Sequence, residues 1–243
     1  MTHAFFLTGT DTGIGKTYAT TALLHAARQA GHAAAGMKPV ASGTDAQGRN
    51  EDIEAIRAAS SPRLPETVDN CYLFSPPIAP HIAAREAGRP IRFAAIRTAL
   101  REACRIVGED GFLILEGVGG FRVPLGARDD DSGDSADLAV ALGLPVLLVV
   151  GLRLGCINHA LLTAEAILAR GLPFAGWIAN TLPSPLPVPM PRLDDNLAAL
   201  RDALPCPLLG VIPAQPPGGP EQAARHLRLP DDFPSTSTEK RTS

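Results

Sequence analysis

The residues best suited to chemistry stand near the amino end, in Gly9-Thr10-Asp11-Thr12-Gly13-Ile14-Gly15-Lys16-Thr17. An apolar run at 4–8 leads into this segment, and a helical pattern at 16–30 leaves it. In that setting a glycine-rich loop turns its backbone N–H groups inward, and the helix N-terminus favours an anion. Lys16 is then placed to reach the β- and γ-phosphates of a nucleotide, and the Thr17 hydroxyl to ligate Mg²⁺. The loop is a variant. The usual G-x-x-x-x-G-K-[ST] pattern has its first glycine at position 10, where this chain has Thr10, and Gly9 comes one residue early.

Four further places carry candidate chemistry. The segment Gly36-Met37-Lys38-Pro39-Val40-Ala41-Ser42-Gly43 follows an apolar run, so Lys38 is either a second cation for a transferring phosphoryl group or a surface lysine in a turn. In Arg49-Asn50-Glu51-Asp52 the acids precede a helical pattern, and on position alone Asp52 reads as a helix cap or dipole partner. The run 112–116 ends in Glu116-Gly117-Val118-Gly119-Gly120, where a carboxylate beside a glycine-rich turn suits a Mg²⁺ ligand with amides near phosphate oxygens. The run 145–151 leads to Arg153-Leu-Gly155-Cys156-Ile-Asn158-His159 at another helix start, a second possible anion site. His159 and His81 are lone histidines and read as structural.

These residues need a scaffold that brings loop ends together. Apolar runs at 4–8, 33–39, 112–116, 145–151, 174–179 and 207–212 alternate with helical patterns at 16–30, 51–60, 91–107, 156–170 and 192–203. Continuous apolar strands separated by helices predict a single-domain, doubly wound α/β fold: a mostly parallel sheet with helices on both faces and ligands at the strands' carboxyl ends. Proline-rich 183–191 and 213–220 read as loops. Residues 1–229 read as one domain and 230–243 as a polar, disordered tail.

Composition excludes other classes. The chain of 243 residues is 45% hydrophobic and 19% charged, which excludes a disordered protein. A net charge of −3 with no basic block argues against nucleic acid as a partner. The longest apolar stretch, Pro145 to Gly151, is too short to span a membrane, and no cationic leader precedes the first apolar run. The four cysteines (Cys71, Cys104, Cys156, Cys206) have no metal-finger spacing, so reduced thiols in the cytoplasm are expected. Only three of the 22 basic residues are lysines, Lys16, Lys38 and Lys240, and two of them fall in the motifs above.

In this order the motifs resemble the dethiobiotin synthetase family, within the P-loop NTPases. The carriers are FFLTGTDTGIGKT, GMKPVASG, RNEDIEAI, ILEGVGG with VPL, PVLLVVGLRLGCINHALLTAEAI and AGWIANTL, spanning about residues 4 to 215. The resemblance implies an ATP-dependent cyclo-ligase of biotin biosynthesis. It would close the ureido ring of dethiobiotin from 7,8-diaminononanoate and CO₂ (or bicarbonate) through a carbamate and its mixed anhydride with phosphate. By matching position it implies catalytic roles for Lys16 and Lys38, and Mg²⁺ ligation by Thr17, Asp52 and Glu116. It implies nucleotide contacts from Gly13, Ile14, Gly15, Lys16, Thr17, Tyr18, Asp52, Glu116, Gly117, Val118, Gly119, Asn180, Thr181, Pro213, Ala214 and Gln215. Substrate contacts fall to Thr12, Lys38 and Ser42, with Gly155, Cys156 and Asn158 serving the neighbour's site in a homodimer. The chain departs from the family at Thr181, where a carboxylate is usual, at Ala214, where an aromatic is usual, and at Ala79, which replaces a hydroxyl residue. The first two departures bear on selectivity for ATP.

A nucleotide-gated binding switch would use the same kind of loop. Partition-type and septum-positioning ATPases carry a signature lysine five residues before the loop lysine. That position is Asp11 here, which argues against the switch. Corrin-precursor amidation, a related ATP-dependent chemistry, needs a further glutamine-hydrolysing domain for which the chain has no room.

Overall fold

The computed structural model describes residues 1–182, 190–214 and 218–231. Its centre is a six-stranded sheet: β1 (His3–Gly9), β2 (Ala34–Met37), β5 (Phe112–Glu116), β8 (Val146–Leu152), β9 (Phe174–Thr181) and β10 (Leu208–Ile212). The order is β10-β9-β8-β1-β5-β2, and every neighbouring pair is parallel. All seven residues of β8 and all five of β5 are buried, which is why those strands read as unbroken apolar runs rather than alternating ones.

Strand pleating sorts the side chains into two layers. Phe5 and Leu7 of β1, Phe112 and Ile114 of β5, and Leu147 and Val149 of β8 pack with α1 (Lys16–Gln29) and α2 (Glu51–Ala59). Phe6, Leu113, Leu115 and Val146 face the opposite way, into the layer holding α5 (Phe93–Val107) and α6 (Ser135–Leu142). In register beyond them, Leu148 and Val150 meet α7 (Cys156–Leu168) and α8 (Leu193–Ala203). Each such Leu or Phe contributes ~1.5–3 kcal/mol on burial. Helices on both faces leave the sheet's carboxyl edge for a site.

Several elements had no legible signal in the sequence. β3 (Val40–Ser42) and β4 (Tyr72–Phe74) form a separate parallel pair, and β6 (Pro124–Asp129) and β7 (Ser132–Asp134) an antiparallel one. Strands of three residues are too short to show a period, and β6 is mostly exposed. The short helices α3 (Glu66–Asp69), α4 (Pro80–Glu86) and α9 (Gly219–Ala223) were also unanticipated. The loop expected at 213–220 is corrected at its end: Gly219 and Pro220 open α9, with proline in the first turn where its missing N–H costs nothing. Residues 183–189 and 215–217 of the proline-rich segments and most of the expected tail lie outside the described residues. The cysteines are free, and among the described residues no helix is long and apolar enough to cross a membrane.

Candidate active site

The phosphate-type loop is held by its hydrophobic middle. Thr10 N–H donates to the Val149 carbonyl at 3.0 Å, tying the loop to β8. The Ile14 side chain, 1% exposed, plugs the core, where a Cβ on Gly151 would stand 2.7 Å away. Gly15 caps α1 with φ of 82°, and a Cβ there would come within 2.2 Å of the Asn180 amide nitrogen. Both facts demand glycine. Asn180, 6% exposed, donates that nitrogen to the Ile14 carbonyl at 2.8 Å. The helix that follows starts with no side-chain cap and no acid in its first turn, the condition in which a helix start attracts an anion.

Behind the loop lies a buried charge cluster. Glu116, at the carboxyl end of β5, is 0% exposed. Its Oε1 accepts from Thr17 Oγ1 at 2.8 Å and from Lys38 Nζ at 2.7 Å, and its Oε2 accepts from Thr20 Oγ1 at 2.6 Å. Lys38 Nζ also donates to Asp52 Oδ2 at 2.5 Å. Lys38 is therefore buried, and the alternative of a surface lysine falls. Asp52 is not the cap of α2 either: Asn50 caps it, accepting from Ile53 N–H at 3.2 Å, which frees Asp52 for Lys38. The main chain of Lys38 is braced on both sides. Its N–H donates to the Asp69 carbonyl at 2.7 Å, and its carbonyl accepts from Asn70 Nδ2 at 2.7 Å. Arg57 grips the Asp69 carboxylate at 2.5 and 2.9 Å.

Burial and charge act in opposite senses on the two lysines. Burial pulls the Lys16 ammonium down to about 8, although Glu116 works against it. Burial alone would also depress Lys38, but Glu116 and Asp52 more than offset it and hold the ammonium above its ordinary value. Asp52 is kept below the usual carboxylate range because Lys38 and Thr17 outweigh its own burial. Lys16 Nζ donates to the Asp11 carbonyl at 2.9 Å, and the Asp11 carboxylate pairs with Arg153 of the β8–α7 loop.

A cleft of about 520 Å³ opens above this cluster. Thr12, Gly13, Gly15, Lys16, Thr17, Tyr18, Lys38, Ser42, Asp52, Val118 and Gly119, all candidates from the sequence, line it. Ser42 Oγ is buried with no hydrogen-bond partner among the described residues, an unspent donor and acceptor at the cleft wall. A second hollow of about 740 Å³ shares Asn50, Glu51 and Asp52 with the first. Glu116 and Gly117 lie beneath the cleft rather than on its surface, and Ile14 offers only its main chain. Asn180 and Thr181 end β9, and Pro213 and Ala214 follow β10; none of these lines the cleft. Gln215 lies outside the described residues. Gly155, Cys156 and Asn158 stand apart at the start of α7, where the Cys156 side chain, 2% exposed, packs into the core and Asn158 is exposed.

Sequence reasoning missed Thr20, Asn50 as cap, and the cleft-lining Thr21, Ala55 and Pro220. Thr20 was findable. It lies three residues after Thr17, so both hydroxyls share one face of α1.

Comparisons with known proteins point to one family and one fold. The family model for the AAA domain matches residues 3–222. The ATP-dependent dethiobiotin synthetase BioD of Aromatoleum aromaticum is 54% identical over 233 residues, covering 94% of this chain and 98% of that protein. The proteins of the same name from Ralstonia nicotianae and Pseudomonas aeruginosa are 52% and 49% identical, over 92% and 93% of this chain and 94% and 96% of their own. Among solved structures, the septum site-determining protein MinD of Pyrococcus horikoshii, complexed with Mg-ADP, superposes with a TM-score of 0.51 at 17% identity, over 93% of this chain and 87% of that one. A ParA family ATPase from Chlorobium tepidum does so with a TM-score of 0.52 at 12% identity, over 92% and 89%. At those identities the likeness is one of fold.

Proposed function

The chain belongs to the family of ATP-dependent dethiobiotin synthetases, ligases of biotin biosynthesis, and we propose that it closes the ureido ring by phosphorylating a carbamate in the cleft above β1 and β5. One amine of 7,8-diaminononanoate adds to CO₂ and loses a proton, giving the carbamate. A carbamate oxygen attacks the γ-phosphorus of ATP, and ADP leaves. The second amine attacks the carbonyl carbon, the carbon–oxygen bond to phosphate breaks, and the ring closes as phosphate departs. Such chemistry asks a protein chiefly to align reactants and neutralise phosphate charge.

The observation that carries this reading is Lys38, whose ammonium is buried between Glu116 and Asp52 beside the loop lysine. Lys16 and Lys38 together neutralise the transferring phosphoryl group and the carbamate. Gly13, Ile14 through its main chain, Gly15, Thr17, Tyr18 and Gly117 to Gly119 hold the nucleotide's phosphates. Asn180, Thr181, Pro213, Ala214 and Gln215 contribute to its base site. Thr12 and Ser42 contact the diamine, supported by the unpartnered Ser42 hydroxyl.

The donor set suits Mg²⁺: the Thr17 hydroxyl and the carboxylates of Asp52 and Glu116 are all hard oxygens. Among the described residues no three acids, histidines or cysteines converge, so the ion would lean on these groups and on the nucleotide. When bound, it supplies charge neutralisation at the β- and γ-phosphates.

We also propose that the enzyme is a cytoplasmic homodimer, with Gly155, Cys156 and Asn158 presented to the neighbour's substrate. Leu154, 93% exposed, and Leu162, 56% exposed, give that segment an apolar surface to bury. Residues 1–229 act as one unit, with 230–243 as a tail.

The test is phosphate release with ATP and Mg²⁺, adding 7,8-diaminononanoate and bicarbonate singly and together. Release should require both and yield dethiobiotin by mass. Release that ignores both and responds to DNA or membrane would instead support a binding switch.

A further inference from the structure

We propose that Thr20 is a positioning residue for Glu116, fixing which carboxylate oxygen faces the cleft. The inference rests on the reading of Glu116 as a metal ligand. The two oxygens of Glu116 have different surroundings. Oε1 accepts from Thr17 and Lys38, both of which line the cleft. Oε2 accepts from Thr20 at 2.6 Å, and Thr20 is 0% exposed on the buried side of α1. The last torsion of a glutamate is soft, with broad preferences, so donors on one oxygen alone would leave the carboxylate free to turn. A donor on each side removes that freedom. Thr20 is itself stiff, because a β-branched side chain in a helix has few rotamers. The helix that begins with Lys16 and Thr17 at the phosphate loop thus also sets, one turn deeper, the angle at which Glu116 meets them.

Groups that orient a metal-binding carboxylate typically alter metal affinity roughly 10- to 100-fold when removed. Thr20→Val keeps the shape and deletes the donor, while Thr20→Ser restores a hydroxyl. Binding of Mn²⁺ to the ADP-loaded protein is followed by electron paramagnetic resonance, alongside the Mg²⁺ dependence of turnover. Thr20→Val should weaken Mn²⁺ binding about 10-fold or more and raise the Mg²⁺ needed for half-maximal turnover by a similar factor. Its kcat at saturating Mg²⁺ should stay near that of the unaltered protein, and Thr20→Ser should recover most of the Mn²⁺ affinity. Thr20→Cys, with a weaker thiol donor, should fall between them and carries the test if the valine variant does not fold. Glu116→Gln is the control. If it binds Mn²⁺ as tightly as the unaltered protein, the metal reading itself fails. If it loses Mn²⁺ while Thr20→Val retains it and only melts earlier, Thr20 is a structural hydrogen bond and the positioning inference is overturned.

Discussion

Two clusters of charge in this molecule use the same residue types to different ends. At the start of α6, Asp134 and Asp137 are met by Arg122, Arg128 and Arg170, with Arg122 Nε 2.7 Å from Asp134 and Arg170 2.7 Å from Asp137. Each carboxylate also accepts the other's backbone N–H, a reciprocal cap that starts the helix, so these acids are consumed in building structure. The side chains of Arg122 and Arg128 are 53% and 66% exposed. Beneath the phosphate loop, Lys38 and Glu116 are 7% and 0% exposed, and Lys38 meets a cleft rather than a helix end. Pairing alone does not mark a site. What sets the second cluster apart is charge held out of water at the carboxyl edge of a parallel sheet, with space above it.

The two clusters should differ most at Lys38. Lys38→Ala should lower turnover on the order of 10²–10³-fold or more, as removal of a transition-state cation does, while circular dichroism at 25 °C reports a folded protein. It should also melt earlier, because truncating one partner of a buried pair costs roughly 3–5 kcal/mol. Unchanged turnover would remove Lys38 from the chemistry. The next effect is on selectivity. Thr181→Asp should raise the preference for ATP over GTP in kcat/KM by about tenfold, equivalent to ~1.4 kcal/mol, and an unaltered ratio would show that Thr181 is not near the base.

At the helix-start cluster the effects should be small. Arg170→Ala should cost about 1 kcal/mol in denaturant unfolding and leave kcat/KM unchanged. The smallest effect is in pH. Burial opposes ionisation of Asp137, but the Asp134 N–H and Arg170 outweigh it and keep its carboxyl below the ordinary range. A depressed folded value contributes stability above the unfolded value, which is lost as pH falls through the folded one. The difference in melting temperature between the unaltered protein and Asp137→Asn should therefore shrink from pH 7 towards pH 3.

Much of this was readable from the chain because parallel strands buried on both faces leave unbroken apolar runs, and the loops after them carry the chemistry. Lys38 and Glu116 stand at the ends of such strands, and Gly15, Lys16 and Thr17 close the loop that carries β1 into α1. The partners were not readable. That Lys38 lies between Asp52 and Glu116 depends on residues 14 and 78 positions apart in sequence. The strands at 40–42 and 72–74 are too short to show a period, and their pairing is set by the tertiary fold. Asn180 was matched to the nucleotide's base, yet its amide nitrogen is spent on the Ile14 carbonyl, a contact only the packed loop reveals.

In the proposed reaction a carbamate oxygen becomes the bridge to phosphorus. Single-turnover reaction with freshly dissolved ¹⁸O-bicarbonate, ATP and 7,8-diaminononanoate measures it directly. One labelled oxygen should appear in the released phosphate and one in the ureido carbonyl of dethiobiotin. Labelled dethiobiotin formed together with unlabelled phosphate would contradict it.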